Sequence, residues 1–309
     1  MSRLHGHFLR AAAAQSARWA ETALPPSKLG GVLLSAEPGQ RRSGALLWAH
    51  GLGGSCAADE LRGLAEILQL AGEGVEEDQR QVLRLDLRGH GRSASAHEEE
   101  RGAAQYAWSE QAKDYLQAAA CESLERPFFG GEASGAAVAL HAAIEAGRSG
   151  VPPPGLVLMR PPAMWGAWAP WQRRYEMAAC WAEQDGLESK DVEGEARHRL
   201  VAPSYAAAQL STAQLSERKA QLLEEWRKME RGVYVAALRG CALSELPADD
   251  ELRSLQVPVL ILAAHGDAEH PVEAAEDLAA LIPRSTLVVA RNLEEAQQSW
   301  SSHIRSALG

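Results

Sequence analysis

Cysteine is scarce in this 309-residue chain. The four residues, Cys56, Cys121, Cys180 and Cys241, lie far apart, with no Cys-x-x-Cys and no histidine at metal-ligand spacing. A disulfide framework and a structural metal site are excluded, and reduced thiols in an intracellular, most simply cytoplasmic, setting are expected. Lysine is almost as rare, confined to Lys28, Lys113, Lys190, Lys219 and Lys228, and the arginines form no stripe. With 31 basic against 41 acidic residues the formal charge is −10, which argues against nucleic acid as a partner. No apolar run approaches the roughly 18 residues of a membrane span, there are no internal repeats, and nothing in the pattern specifies an oligomer.

What is present is a globular composition. Apolar residues make up 46% and charged residues 23%, enough for a large core without wholesale disorder. Residues 1–24 read as an N-terminal extension. Within residues 1–20, Arg3, Arg10 and Arg18 occur with no acid before Glu21. Two readings fit: an ordinary leading helix with Leu4, Phe8 and Ala11 to Ala14 on its apolar side, which is the expectation, or an organelle transit peptide.

Short, continuously apolar runs recur at 32–34, 45–49, 81–85, 127–130, 156–159, 257–263 and 286–290. Continuous rather than alternating runs suit parallel strands covered on both faces. Helical periodicity falls between them at about 57–72, 108–122, 135–147, 272–282 and 293–308. Alternation of this kind predicts a doubly wound, mostly parallel α/β sheet. From 163 to 247 the rhythm breaks: no strand is expected, a Trp-rich opening (Trp165, Trp168, Trp171, Trp181) leads into helices, and 212–231 is the clearest of them. The expected organisation is a core of 25–162 and 248–309 interrupted by a helical lid at 163–247. The acidic stretches Gly72–Asp78 and Glu98–Glu100 read as solvated loops.

Three motifs fall at strand ends. Trp48-Ala49-His50-Gly51-Leu52-Gly53-Gly54-Ser55 closes one strand with a glycine-rich turn, which lets backbone N–H groups face a cleft. It is neither a Walker loop nor a dinucleotide fingerprint, and no cofactor is expected. Asp86-Leu87-Arg88-Gly89-His90-Gly91-Arg92-Ser93 follows the next. Gly130-Gly131-Glu132-Ala133-Ser134-Gly135 joins a strand to an apolar helix through a turn so rich in small residues that close backbone approach is required.

These motifs, with the late helical interval and Val257-Pro258-Val259-Leu260-Ile261-Leu262 leading to Gly266-Asp267, resemble the α/β-hydrolase superfamily over residues 25–308, in its lid-bearing, esterase- or lipase-like branch. That resemblance implies hydrolysis of esters, thioesters or related bonds, without a cofactor in most members, by a nucleophile, an acid and a histidine in that chain order. Carried over residue by residue, the elbow Gly-x-nucleophile-x-Gly reads Gly131-Glu132-Ala133-Ser134-Gly135, so Ala133 stands at the nucleophile position. Asp267 matches the acid. No histidine follows the last strand at Arg291-Asn292, and His303 lies deep in the terminal helix.

Two substitutes are nearby: Ser134, one residue late, and His270, three residues after Asp267. The resemblance further implies backbone oxyanion donors at Leu52 and Ser134, cleft-bracing roles for His50, Gly51, Asp86 and His90, and an aromatic pocket wall from Trp165 and Trp168. Two functions are expected to compete. One is a cleft for a small hydrophobic carbonyl ligand, impaired or inactive as a serine hydrolase. The other is an active hydrolase using Ser134, or a water activated by His270 and Asp267.

Overall fold

The computed structural model describes residues 31–34, 44–68, 82–93, 102–121, 124–163, 165–194 and 210–309, the side chains of 31–34, 65–66 and 165–168 apart. The N-terminal extension, the two acidic loops and the side chains of Trp165 and Trp168 lie outside what is described. The seven expected strands form one sheet: β1 Gly31–Leu34, β2 Leu46–Ala49, β3 Val82–Leu85, β4 Phe128–Glu132, β5 Leu156–Met159, β6 Val259–Ala264 and β7 Ser285–Ala290. Their spatial order is β1-β3-β2-β4-β5-β6-β7, with β1 antiparallel at one edge and every other pairing parallel.

The apolar runs are continuous because both faces of the sheet are covered. Leu47, Ala49, Leu83, Phe129, Leu158 and Ile261 pack under α3 (Trp108–Cys121), α4 (Ser134–Arg148) and α9 (Val272–Leu281). Their neighbours Leu46, Trp48, Val82, Val157 and Leu262 pack under α10 (Leu293–Leu308) through Trp300 and Ile304. Each such side chain removed from water contributes roughly 1.5–3 kcal/mol before entropy is charged against it.

The strand order places the site. After β2 the chain steps outward to β3, then crosses back to β4 on the other side of β2. Such a reversal opens a crevice at the carboxyl ends of the two diverging strands. Here those ends are His50-Gly51-Leu52 and Ala133.

Two helical expectations need correction. The run at 57–72 is not one helix: α1 (Cys56–Arg62) ends at Gly63, whose φ of 79° puts it in the left-handed region, and α2 (Leu64–Ile67) begins a new direction. The run at 212–231 ends earlier, at Arg227, and α7 (Arg231–Ala242) starts after Glu230. Among the described residues 163–247 holds helices and no strand. The longest are α5 (Trp165–Asp185), α6 (Thr212–Arg227), opened by a Ser211–Gln214 capping box, and α7. They share their own apolar cluster around Ala178, Leu222, Trp226 and Tyr234. Short α8 (Asp249–Ser254) returns the chain to β6. No described helix is long and apolar enough to cross a membrane.

Candidate active site

The turn from β4 to α4 is bent where the sequence motif places it. Ala133 has φ 53° and ψ −121°, a conformation that residues with a Cβ rarely adopt. Its flanking glycines are there for space. A Cβ on Gly131 would lie 2.3 Å from the Gly135 carbonyl oxygen, and one on Gly135 would lie 2.2 Å from that of Ala49. The strained position is therefore Ala133, while Ser134 is the first helical residue of α4. Among the described residues no hydrogen bond joins Ser134 to His270, and none occupies the backbone N–H of Leu52 or of Ser134.

The loops after β2 and β3 are braced by neutral histidines. His50 Nε2 accepts from the Leu87 amide (3.0 Å) while its Nδ1 meets the Gly51 carbonyl (2.8 Å). His90 Nε2 accepts from the Gly53 amide (3.1 Å) while its Nδ1 meets the Arg88 carbonyl (2.8 Å). Each ring needs one proton, on Nδ1, to satisfy both bonds. Burial pushes both imidazoles down, His90 to about 3, so they stay uncharged. Asp86 accepts from the amides of Cys56 (2.6 Å) and Arg92 (2.9 Å). Burial alone would raise its carboxyl, but the bonds from these amides hold it below its usual range.

Across the cleft the arrangement is ionic. Arg160, at the end of β5 with φ 50°, is buried. Its Nη1 donates to Glu132 Oε1 (2.7 Å), its Nε to Asp267 Oδ2, and its Nη2 meets His270 Nδ1 (3.1 Å). Arg62 of α1 reaches the same Glu132 oxygen at 2.7 Å and lies 3.7 Å from buried Asp59. Asp267 is thus one guanidinium away from the elbow. Its Oδ1 accepts from the amides of Glu269 and His270, both at 3.1 Å. Burial alone would raise Asp267, yet His270 and Arg160 outweigh it and hold the carboxyl well below the usual range.

This lattice changes what His270 can do. Its Nδ1 lies 3.3 Å from Asp267 Oδ2, the pairing a general base needs. The same nitrogen faces Arg160 Nη2, a group that only donates. Arg160 and Asp267 therefore make opposite demands on Nδ1, the guanidinium requiring it to accept and the carboxylate requiring it to donate. Arg160 competes with histidine for the acid.

The cavity bordered by the elbow holds about 30 Å³, enough for roughly one water. Gly51, Leu52, Ala133, Ser134 and His270 border it, together with Tyr175 of α5. The side chains of Trp165 and Trp168, expected as an aromatic wall, lie outside what is described; Trp171 packs against the sheet core with Arg174 stacked 5.2 Å from its ring centre. At Arg291-Asn292, the expected place of a base, Arg291 pairs with Glu295 and Asn292 caps α10. Sequence reasoning missed Arg62, Arg160 and the ion pairs of Glu132. The available signal was a charge directly after the buried run Leu156–Met159, since strand carboxyl ends face the cleft in this fold class.

Residues 46–294 match the Alpha/beta hydrolase family. No curated protein matches the sequence. Among solved structures, MenH from S. aureus is 19% identical with a TM-score of 0.65, covering 90% of this chain and 97% of its own. The enol-lactonase from Burkholderia xenovorans LB400 is 18% identical, TM-score 0.65, covering 92% and 98%. A thermophilic esterase from Thermogutta terrifontis is 20% identical, TM-score 0.64, covering 93% and 97%. At such identity the structures speak for the fold alone, and the family match speaks for descent. With the reversed strand order and the bent Gly-x-Ala-x-Gly turn, the chain belongs to the α/β-hydrolase family.

Proposed function

We propose that the protein has kept the hydrolase cleft as a binding site for small hydrophobic carbonyl compounds, ester- or thioester-like, and has lost or nearly lost turnover as a serine hydrolase. The observation that carries this reading is Ala133 at φ 53°: the backbone is bent for a nucleophile, and the side chain there has none to offer. A carbonyl oxygen would be held by the N–H groups of Leu52 and Ser134, which polarise it without attacking it. In enzymes of this chemistry such donors and binding alone leave roughly 10³–10⁴-fold catalysis over water once the triad is gone. The helices at 165–242 act as the lid. Tyr175 lines the water-sized cavity and Arg174 pairs with Glu269 at 3.8 Å, so a ligand larger than a water would enter by displacing α5. His50, Gly51, Asp86 and His90 hold the oxyanion loop in place throughout.

A second reading keeps activity: Ser134, or a water activated by His270 and Asp267. It is favoured by the cavity itself, which is water-sized and borders both Ser134 and His270. A fluorophosphonate probe separates the two. The wild-type chain is expected to label poorly. Ala133→Ser should label slightly, because no base serves the new hydroxyl. Ala133→Ser with Arg160→Met should label more, since His270 Nδ1 is then free to donate to Asp267. Strong wild-type labelling abolished by Ser134→Ala would overturn the proposal, as would hydrolysis of p-nitrophenyl acetate by the wild type that His270→Gln removes.

A further inference from the structure

A second cavity, larger than the one at the elbow, lies elsewhere in the molecule. A space of about 350 Å³, more than ten times the elbow's 30 Å³, lies between α1, the turn after β3 and the end of α6. The two share no lining residue. Its volume falls within the roughly 300–1,000 Å³ typical of small-molecule sites. Cys56, Ala57 and Met229 give it an apolar lining. The Cys56 thiol is raised by burial and by Asp86, so it remains protonated and serves as part of that apolar surface.

The acids around this space are already engaged. Asp86 accepts two backbone amides, Glu60 pairs with Arg84 at 2.6 Å, and Glu225 pairs with Lys228. Arg92 is different. Its guanidinium makes no hydrogen bond to a described residue and comes no nearer than 3.7 Å to Asp86, whose oxygens are taken. It is 57% exposed at the cavity edge, with Lys228 also on the lining. A space with an apolar lining at Cys56, Ala57 and Met229, bordered by a guanidinium that hydrogen-bonds no described residue, has a definite complement. We infer that this cavity is a second ligand site, independent of the elbow, for a small amphiphile with an apolar chain and an anionic head, the head on Arg92 and the chain against Ala57 and Met229.

Octanoate and the uncharged 1-octanol are the probes, titrated calorimetrically into the full chain. Octanoate is expected to bind at one site, about tenfold or more tighter than octanol. Arg92→Glu, at an exposed position, should weaken octanoate by about tenfold or more and leave octanol within about threefold. Ala57→Trp, also exposed, should fill the space and abolish both. Tyr175→Trp, which crowds the elbow instead, should leave octanoate binding intact. The inference fails if octanoate does not bind at millimolar concentration, if octanol binds equally well, if Arg92→Glu or Ala57→Trp has no effect, or if Tyr175→Trp removes binding.

Discussion

The two sides of the cleft are built from different chemistry. On the β2 and β3 side, His50, His90 and Asp86 hold loops by bonds to backbone amides and carbonyls, with both histidines uncharged. On the β4, β5 and β6 side, Glu132, Arg160 and Asp267 form a buried ionic chain, extended to Arg62. The first is a brace that positions backbone donors whether or not a reaction follows. The second ties the elbow residue Glu132 to Asp267 through buried charge. A fold can thus hold one wall of a cleft by main-chain bonds and the other by ion pairs.

The largest expected effect tests the ionic side. Arg160→Met leaves Glu132 and Asp267 buried with one cation fewer, and breaking a buried pair this way costs about 3–5 kcal/mol. Urea unfolding should show that loss, and Arg160→Met with Glu132→Gln should lose less than the two single changes summed. A loss below about 1 kcal/mol would mean that the chain is not the ionic lattice described.

Acidity sets the sides against each other. Burial, partly offset by Arg62, raises Asp59 from the usual 3.8 to about 7. The native state therefore holds a proton that the unfolded chain releases, and this contribution to stability falls as pH rises from about 4 to 7. His90 runs the other way. Held near 3 against the usual 6.5, it loses stability as pH falls below 6.5, because only the unfolded chain takes up the proton. The two contributions oppose each other between pH 4 and 6.5. Asp59→Asn should expose the histidine slope, with stability dropping on acidification by on the order of 1–3 kcal/mol. His90→Gln should tilt the profile the opposite way. Parallel profiles for both variants would break the comparison.

A smaller gain is expected from Ala133→Gly. The strain of a Cβ at φ 53° exceeds the extra unfolded-state freedom of glycine, so stability should rise by about 1 kcal/mol. The smallest effect belongs to Arg174→Ala. Its pair with Glu269 is long and partly solvated, so stability should change by less than about 1 kcal/mol, while limited proteolysis within α5 should quicken.

Much of this architecture could be read before any coordinates. Strands, helix positions and the elbow depend on neighbours within a few residues: apolar runs, Gly131 and Gly135 two positions either side of Ala133, and the His-Gly turn. The ionic chain could not be read that way, because Arg160 and Asp267 are 107 residues apart and nothing local marks either as the other's partner. The place of Tyr175 on the cavity is hidden for the same reason, since it reaches the elbow from α5 only after the fold brings them together. Gly63 was visible as a residue, but its left-handed turn, which splits the expected long helix, depends on the carbonyls of Asp59 and Glu60 being there to receive its N–H.

The bent backbone at Ala133 is a prepared position. Folding already holds this residue in a strained turn, between two glycines that nothing larger could replace. Installing a hydroxyl there adds one oxygen atom to a methyl group and asks no movement of the main chain. A designer seeking a new acyl-transfer centre could therefore leave the turn as it stands and spend every change on the far wall, exchanging a guanidinium for an imidazole with a free lone pair.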